Sequence, residues 1–125
     1  MEFEIRYYQD SFGNNPIHEF LLELLKSNRR LFAKVTKAID KWKNRAYHKE
    51  PLSKYLESGL WEVRVKAGTD ILRIIYTFDK GKLIILLHVF IKKEQKTPAN
   101  ELEIARKRLK EIKMRILSWK ERKMI

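Results

Sequence analysis

Cysteine is absent from the 125-residue chain, which excludes a disulfide scaffold, a thiolate metal site and a cysteine nucleophile, and suits a reducing compartment. Glycine (4 residues) and proline (3) are scarce, so Walker-type and dinucleotide-binding loops have little to be built from. The three histidines, His18, His48 and His88, form no paired-histidine motif, and neither a metal nor a cofactor is expected. Ser11, Ser27, Ser53, Ser58 and Ser118 all lack a nucleophile-elbow context. The longest apolar stretch, Leu83 to Ile91, is broken by His88 and falls far short of the ~20 residues of a membrane span. Met1 to Arg6 shows no basic segment ahead of an apolar core, so the expectation is a cytoplasmic chain with no membrane partner.

Acidic residues are also in short supply. Lys+Arg number 28 against 16 Asp+Glu, a formal net charge of +12, and polyanions or acidic proteins become the default partners. From Lys92 onward there are 12 Lys+Arg and 5 Asp+Glu. A content of 44% hydrophobic and 11% aromatic residues is too high for a disordered chain. The length suits a single domain over residues 1–125.

The order of elements follows from periodicity. Phe3 to Tyr8 alternates as a strand. Asn15-Pro16 reads as a helix start, followed by an apolar stripe at Ile17, Phe20, Leu21, Leu24 and Leu25. Ser27-Asn28 interrupts, and Leu31, Phe32, Val35, Ala38, Ile39 and Trp42 make a second stripe, so the two helices form a hairpin able to cover one sheet face. Residues 46–59 read as irregular, and three strands follow, over 60–66, 71–78 and 83–91. A two-residue turn at Lys80-Gly81 pairs Phe78 with Leu83 and Arg73 with His88. A four-residue loop over 67–70 sets Arg64 beside Arg73. Leu72, Ile74, Tyr76 and Phe78 then share the core face with Leu83, Ile85, Leu87 and Val89. Thr97-Pro98 opens a last helix over 99–120, with a seam at Leu102, Ala105, Leu109, Ile112, Ile116 and Trp119. The fold class is α+β, in the order β-α-α-β-β-β-α, with a small, mostly antiparallel sheet under the hairpin and a basic C-terminal helix.

The face away from this core gathers Arg64, Arg73, His88, Phe90 and Lys92, rimmed by Lys93 and Lys96. Guanidinium groups on neighbouring strands suit a phosphate held by paired hydrogen bonds, and Phe90 offers a stacking surface for an unpaired base. Such a cluster can cleave RNA by letting the substrate's 2′-hydroxyl attack the adjacent phosphorus while cations stabilise the developing charge. His88 is the best-matched base by its ordinary pKa, a lysine the second. Each residue also has a structural reading: an Arg64–Glu62 ion pair, a satisfied core histidine at His88, and Phe90 packed beneath the last helix. Tyr47 and His48, in the irregular segment, are weaker candidates.

Several segments resemble a known family: Pro51 to Leu56, Gly59 to Arg64, Arg73 to Tyr76, and above all Leu87 to Pro98, which ends in Lys96-Thr97-Pro98. They are similar to the RelE/ParE superfamily of type II toxins, in its HigB-like branch that includes phage-derived proteins. The resemblance implies a RelE-like fold and a ribosome-dependent mRNA endoribonuclease neutralised by, and in complex with, a cognate antitoxin. By position, it implies that Arg64 is the basic residue of the second strand and Arg73 the third-strand arginine that contacts the scissile phosphate, with Lys93, beside Lys92, as the basic residue after the last strand. His88 and Lys96 match the motif of this branch. Glu62 stands where RelE-type members carry lysine, and the C-terminal tyrosine or histidine of several members has no counterpart. A ParE-like gyrase inhibitor and a non-catalytic RNA- or antitoxin-binding module are the alternative readings.

Overall fold

The computed structural model describes residues 3–44, 53–79, 82–91 and 96–123, with side chains up to residue 116. The elements run β1 (Glu4–Tyr7), α1 (Pro16–Ser27), α2 (Arg29–Trp42), β2 (Ser53–Glu57), β3 (Leu60–Ala67), β4 (Asp70–Asp79), β5 (Leu83–Ile91) and α3 (Ala99–Lys123). This is a mixed α+β chain of five strands in one sheet and three helices, with strand order β1-β5-β4-β3-β2. Only the β1–β5 pair is parallel.

Local chemistry sets the helix ends as anticipated. The Asn15 side chain accepts from the His18 amide at 3.0 Å, with Pro16 at the first helical position. Asn28 serves both helices of the hairpin. Its amide donates to the Leu24 carbonyl at 2.8 Å, and its side chain accepts from the Leu31 amide at 3.1 Å. The hairpin then lays Ile17, Leu21, Leu24, Leu31, Val35, Ala38 and Trp42 against Val63, Val65, Leu72, Ile74, Tyr76, Ile84, Leu86 and Val89.

The structure corrects several expectations. Part of the segment expected to be irregular is β2, an edge strand on β3; its polarity reflects that edge position, and Ser53 is buried, accepting from Trp42 at 3.1 Å and Tyr76 at 2.8 Å. Residues 45–52, including Tyr47 and His48, lie outside the described residues. The loop after β3 shrinks to Gly68-Thr69, although Arg64 does pair with Arg73 as expected.

The β4–β5 register is shifted. Asp79 rather than Phe78 stands opposite Leu83, and Lys82, just before β5, sits at φ 63°; Lys80 and Gly81, where the turn was expected, lie outside the described residues. Further along, Ile75 pairs with His88 but Tyr76 with Leu86, leaving Leu87 as the extra residue of a bulge. Arg73 therefore faces Phe90 rather than His88. Ile85 and Leu87 turn away from the hairpin into a second core with Leu60, Ile75, Phe90, Ala105 and Leu109, against which Leu83 packs, while Val89 keeps its expected side.

That second core is where α3 packs, so both faces of the sheet carry helix. Thr97 does not cap α3: its hydroxyl donates to Glu62 at 2.6 Å, and the helix begins with the Leu102 amide on the Pro98 carbonyl. The helix also continues past residue 120, to Lys123. Among the described residues, no helix is long and apolar enough to cross a membrane.

Candidate functional site

Period two on β3 places Val63 and Val65 under the hairpin and sends Leu60, Glu62 and Arg64 to the α3 side. On β4, Ile74 and Tyr76 go to the hairpin, and Arg73 and Ile75 to the other face. Because Arg64 and Arg73 are register partners, their β-carbons stand side by side at the separation of any directly opposed pair, about 5 Å.

The two guanidinium groups meet different fates. Arg64 is one-third exposed and its Nε donates to the Glu62 carboxylate at 2.9 Å. Glu62 itself is fully buried and takes the Thr97 hydroxyl on its other oxygen. The structural reading of Arg64 is therefore realised. Arg73 is 1% exposed, and its Nε and Nη1 have no hydrogen-bond partner among the described residues. A guanidinium cannot shed its proton to escape burial, so leaving its donors empty costs several kcal/mol on the usual scale for buried charge. Oxyanions are the ligands whose geometry answers two such donors.

His88 lies between two residues of α3. Its Nε2 is 3.2 Å from Glu101 Oε1, and its Nδ1 is 3.2 Å from Arg108 Nη1. Arginine can only donate, so Nδ1 must accept and Nε2 must carry the hydrogen that goes to Glu101. Burial, ahead of the opposing pull of Glu101, holds the His88 pKa below its ordinary value. The neutral ring thus has no spare lone pair while Arg108 is in place. Phe90 stacks on His88 at 5.5 Å between ring centres and is 5% exposed within the second core, so a base reaches it only if α3 moves.

Lys96 is exposed; Lys92 and Lys93 lie outside the described residues. The structure thus joins Arg64 with Arg73, and His88 with Phe90, as two neighbouring groups on one face.

Sequence reasoning missed Arg108 and Glu101, which orient His88, and the Tyr8–Glu111 contact beyond them, where the Tyr8 hydroxyl donates at 2.5 Å. The available signal was spacing: Glu101 and Arg108 are seven residues apart, on the same helical face as the seam. Arg108 also donates to the Leu87 carbonyl at 2.9 Å and lies over the Tyr8 ring. A hollow of about 650 Å³ beside Tyr8, Phe12, Lys110 and Met114 includes neither arginine of the pair. Among the described residues, no group of three histidine or acidic side chains could hold a metal ion.

Residues 19–110 match the family described as phage-derived protein Gp49-like (DUF891), well over half of the chain. The chain belongs to the Gp49-like family. The matched stretch contains α2, all of β2 to β5 and the part of α3 that carries Glu101 and Arg108, so the whole arginine and histidine arrangement lies inside it. Gp49-like proteins are toxin-like proteins of the RelE/Gp49 type. No curated protein matches this Gp49-like chain significantly.

Proposed function

We propose that this Gp49-like protein is the toxin of a type II toxin–antitoxin pair, of the HigB-like kind, and acts as an endoribonuclease on mRNA at the ribosome. The observation that carries this reading is the buried Arg73, whose Nε and Nη1 find no partner among the described residues, a donor pair suited to a phosphate.

In this mechanism the cover over Arg73, which is 1% exposed, moves aside, the scissile phosphate docks on its guanidinium, and Arg64 adds charge from the neighbouring strand. The 2′-oxygen attacks phosphorus as its proton leaves to a base. The bond to the 5′-oxygen breaks and that oxygen takes up a proton, leaving a 2′,3′-cyclic phosphate and a 5′-hydroxyl. The guanidinium groups stabilise the extra negative charge of the pentacoordinate transition state, which is the largest service a site of this composition offers. Because Arg108 occupies the His88 lone pair, His88 can act as the base only after α3 shifts; Lys93 is the alternative base, on the strength of the family resemblance alone. A cognate antitoxin is the expected partner, drawn by the +12 charge.

The test is to map transcript 5′ ends after expressing the wild-type chain and an Arg73→Met variant. New 5′-hydroxyl ends with wild type, reduced at least ~100-fold in the variant, support the nuclease. DNA breaks without RNA ends would instead identify a gyrase inhibitor. RNA binding without cleavage is the outcome that His88's two occupied nitrogens would favour, and it would identify a non-catalytic module.

A further inference from the structure

The outward face of α2 carries a second concentration of cations, on a helix that covers the other face of the sheet from the arginine pair. Its inward face is used up: Leu31, Val35 and Trp42 are fully buried and Ala38 nearly so. Arg30, Lys34, Lys37 and Lys41 recur at spacings of four, three and four and are all exposed, which places them in one stripe about 16 Å long at 1.5 Å per residue. Arg29 is exposed beside it. The single acid of the helix, Asp40, is held by Lys43 at 3.7 Å. Arg29, Arg30, Lys34 and Lys37 have no carboxylate partner among the described residues. Lys34 instead donates to the Lys66 carbonyl at 3.2 Å, a bond that leaves its charge uncompensated.

Like charges at i,i+3 and i,i+4 spacing destabilise a helix. A helix that accepts this repulsion without neutralising it gains only if an anionic partner supplies the missing charge. The chemistry of the stripe narrows that partner. Between the cations lie Ala33 and Thr36; no aromatic side chain stands there to stack on a base, as single-strand binders require. Nor is an apolar face left over to enter a bilayer. The stripe is a straight row of positive charge suited to phosphates presented at regular intervals by a double helix, which fixes position without reading sequence; an acidic protein segment presents its carboxylates at no such fixed spacing.

We propose that the α2 stripe docks the phosphate backbone of double-helical RNA, while the opposite face of the sheet handles a scissile strand. The choice of RNA over DNA rests on the nuclease reading above; the docking surface itself does not.

The experiment measures binding of a 20-base-pair RNA duplex, and of a DNA duplex of the same sequence, from 50 to 300 mM salt by fluorescence anisotropy. The proteins are wild type, Arg30→Gln/Lys34→Gln/Lys37→Gln, the charge-preserving Lys34→Arg/Lys37→Arg, and Arg73→Met. Glutamine keeps helix propensity, and thermal melting checks that the triple variant is folded. The proposal expects the triple variant to lose about three units of the log–log salt slope and at least about tenfold in affinity at low salt. The Lys-to-Arg variant should bind as wild type does, and Arg73→Met should keep duplex binding. An unchanged slope in the folded triple variant overturns the docking surface. Preference for the DNA duplex overturns the RNA assignment. Loss of cleavage is not read here, so failure of the nuclease reading shows separately.

Discussion

Glu62 and Arg73 are one step apart in the sheet, on adjacent strands, yet they solve burial in opposite ways. Glu62 has its charge matched by Arg64 and its second oxygen by Thr97, so removing its charge should hurt stability. We expect Glu62→Gln to cost about 1–3 kcal/mol, since it weakens a charge-assisted bond inside the protein, and to strengthen polyanion binding by releasing Arg64. Chemical denaturation and RNA-binding isotherms on the same samples check both signs. Sequence reading captured the Arg64–Glu62 alternative because the two residues sit at i,i+2 on one strand face. It did not reach the Thr97 hydroxyl on the second Glu62 oxygen, a contact across 35 residues that no local pattern shows.

At the scale of elements, α3 is fastened to the sheet by apolar and polar contacts together. Ala105 and Leu109 fill the second core, and Gly59 is held at φ +80° where an added β-carbon would lie 3.1 Å from Leu109, so close packing there needs glycine. The polar fastening is Glu101–His88–Arg108. Protonating His88 would turn its Nδ1 into a donor facing the Arg108 donor. With the folded pKa below the ordinary 6.5, the unfolded chain binds the proton more readily. Stability from this site is therefore complete above pH 6.5 and falls as pH drops through 6.5 toward the folded value. Thermal melts across that range should show the slope in wild type and a flatter one in His88→Gln; an equal slope in both would remove His88 as its source. The helices were legible from caps and stripes at Asn15, Asn28 and the α3 seam. The β4–β5 register was not, because the bulge at Leu87 leaves no mark in a run where nearly every residue is apolar, and it moved His88 away from Arg73 and toward α3.

For the molecule as a whole, a net charge of +12 is spread over two faces: the arginine pair beside α3, and the stripe on α2. The charge attracts any polyanion, but among the described residues only Arg73 combines burial with unpartnered side-chain donors, so chemical specificity should reside there. Such a residue trades stability for function. The most direct test is thermal denaturation of wild type and Arg73→Met with and without an uncleavable RNA dinucleotide bearing a 2′-deoxy sugar at the scissile position. The account predicts that Arg73→Met alone melts several degrees above wild type, from roughly 1–3 kcal/mol of relieved charge burial, and that the dinucleotide raises the melting temperature of wild type only. A variant that melts lower than wild type and responds equally to the dinucleotide would contradict it.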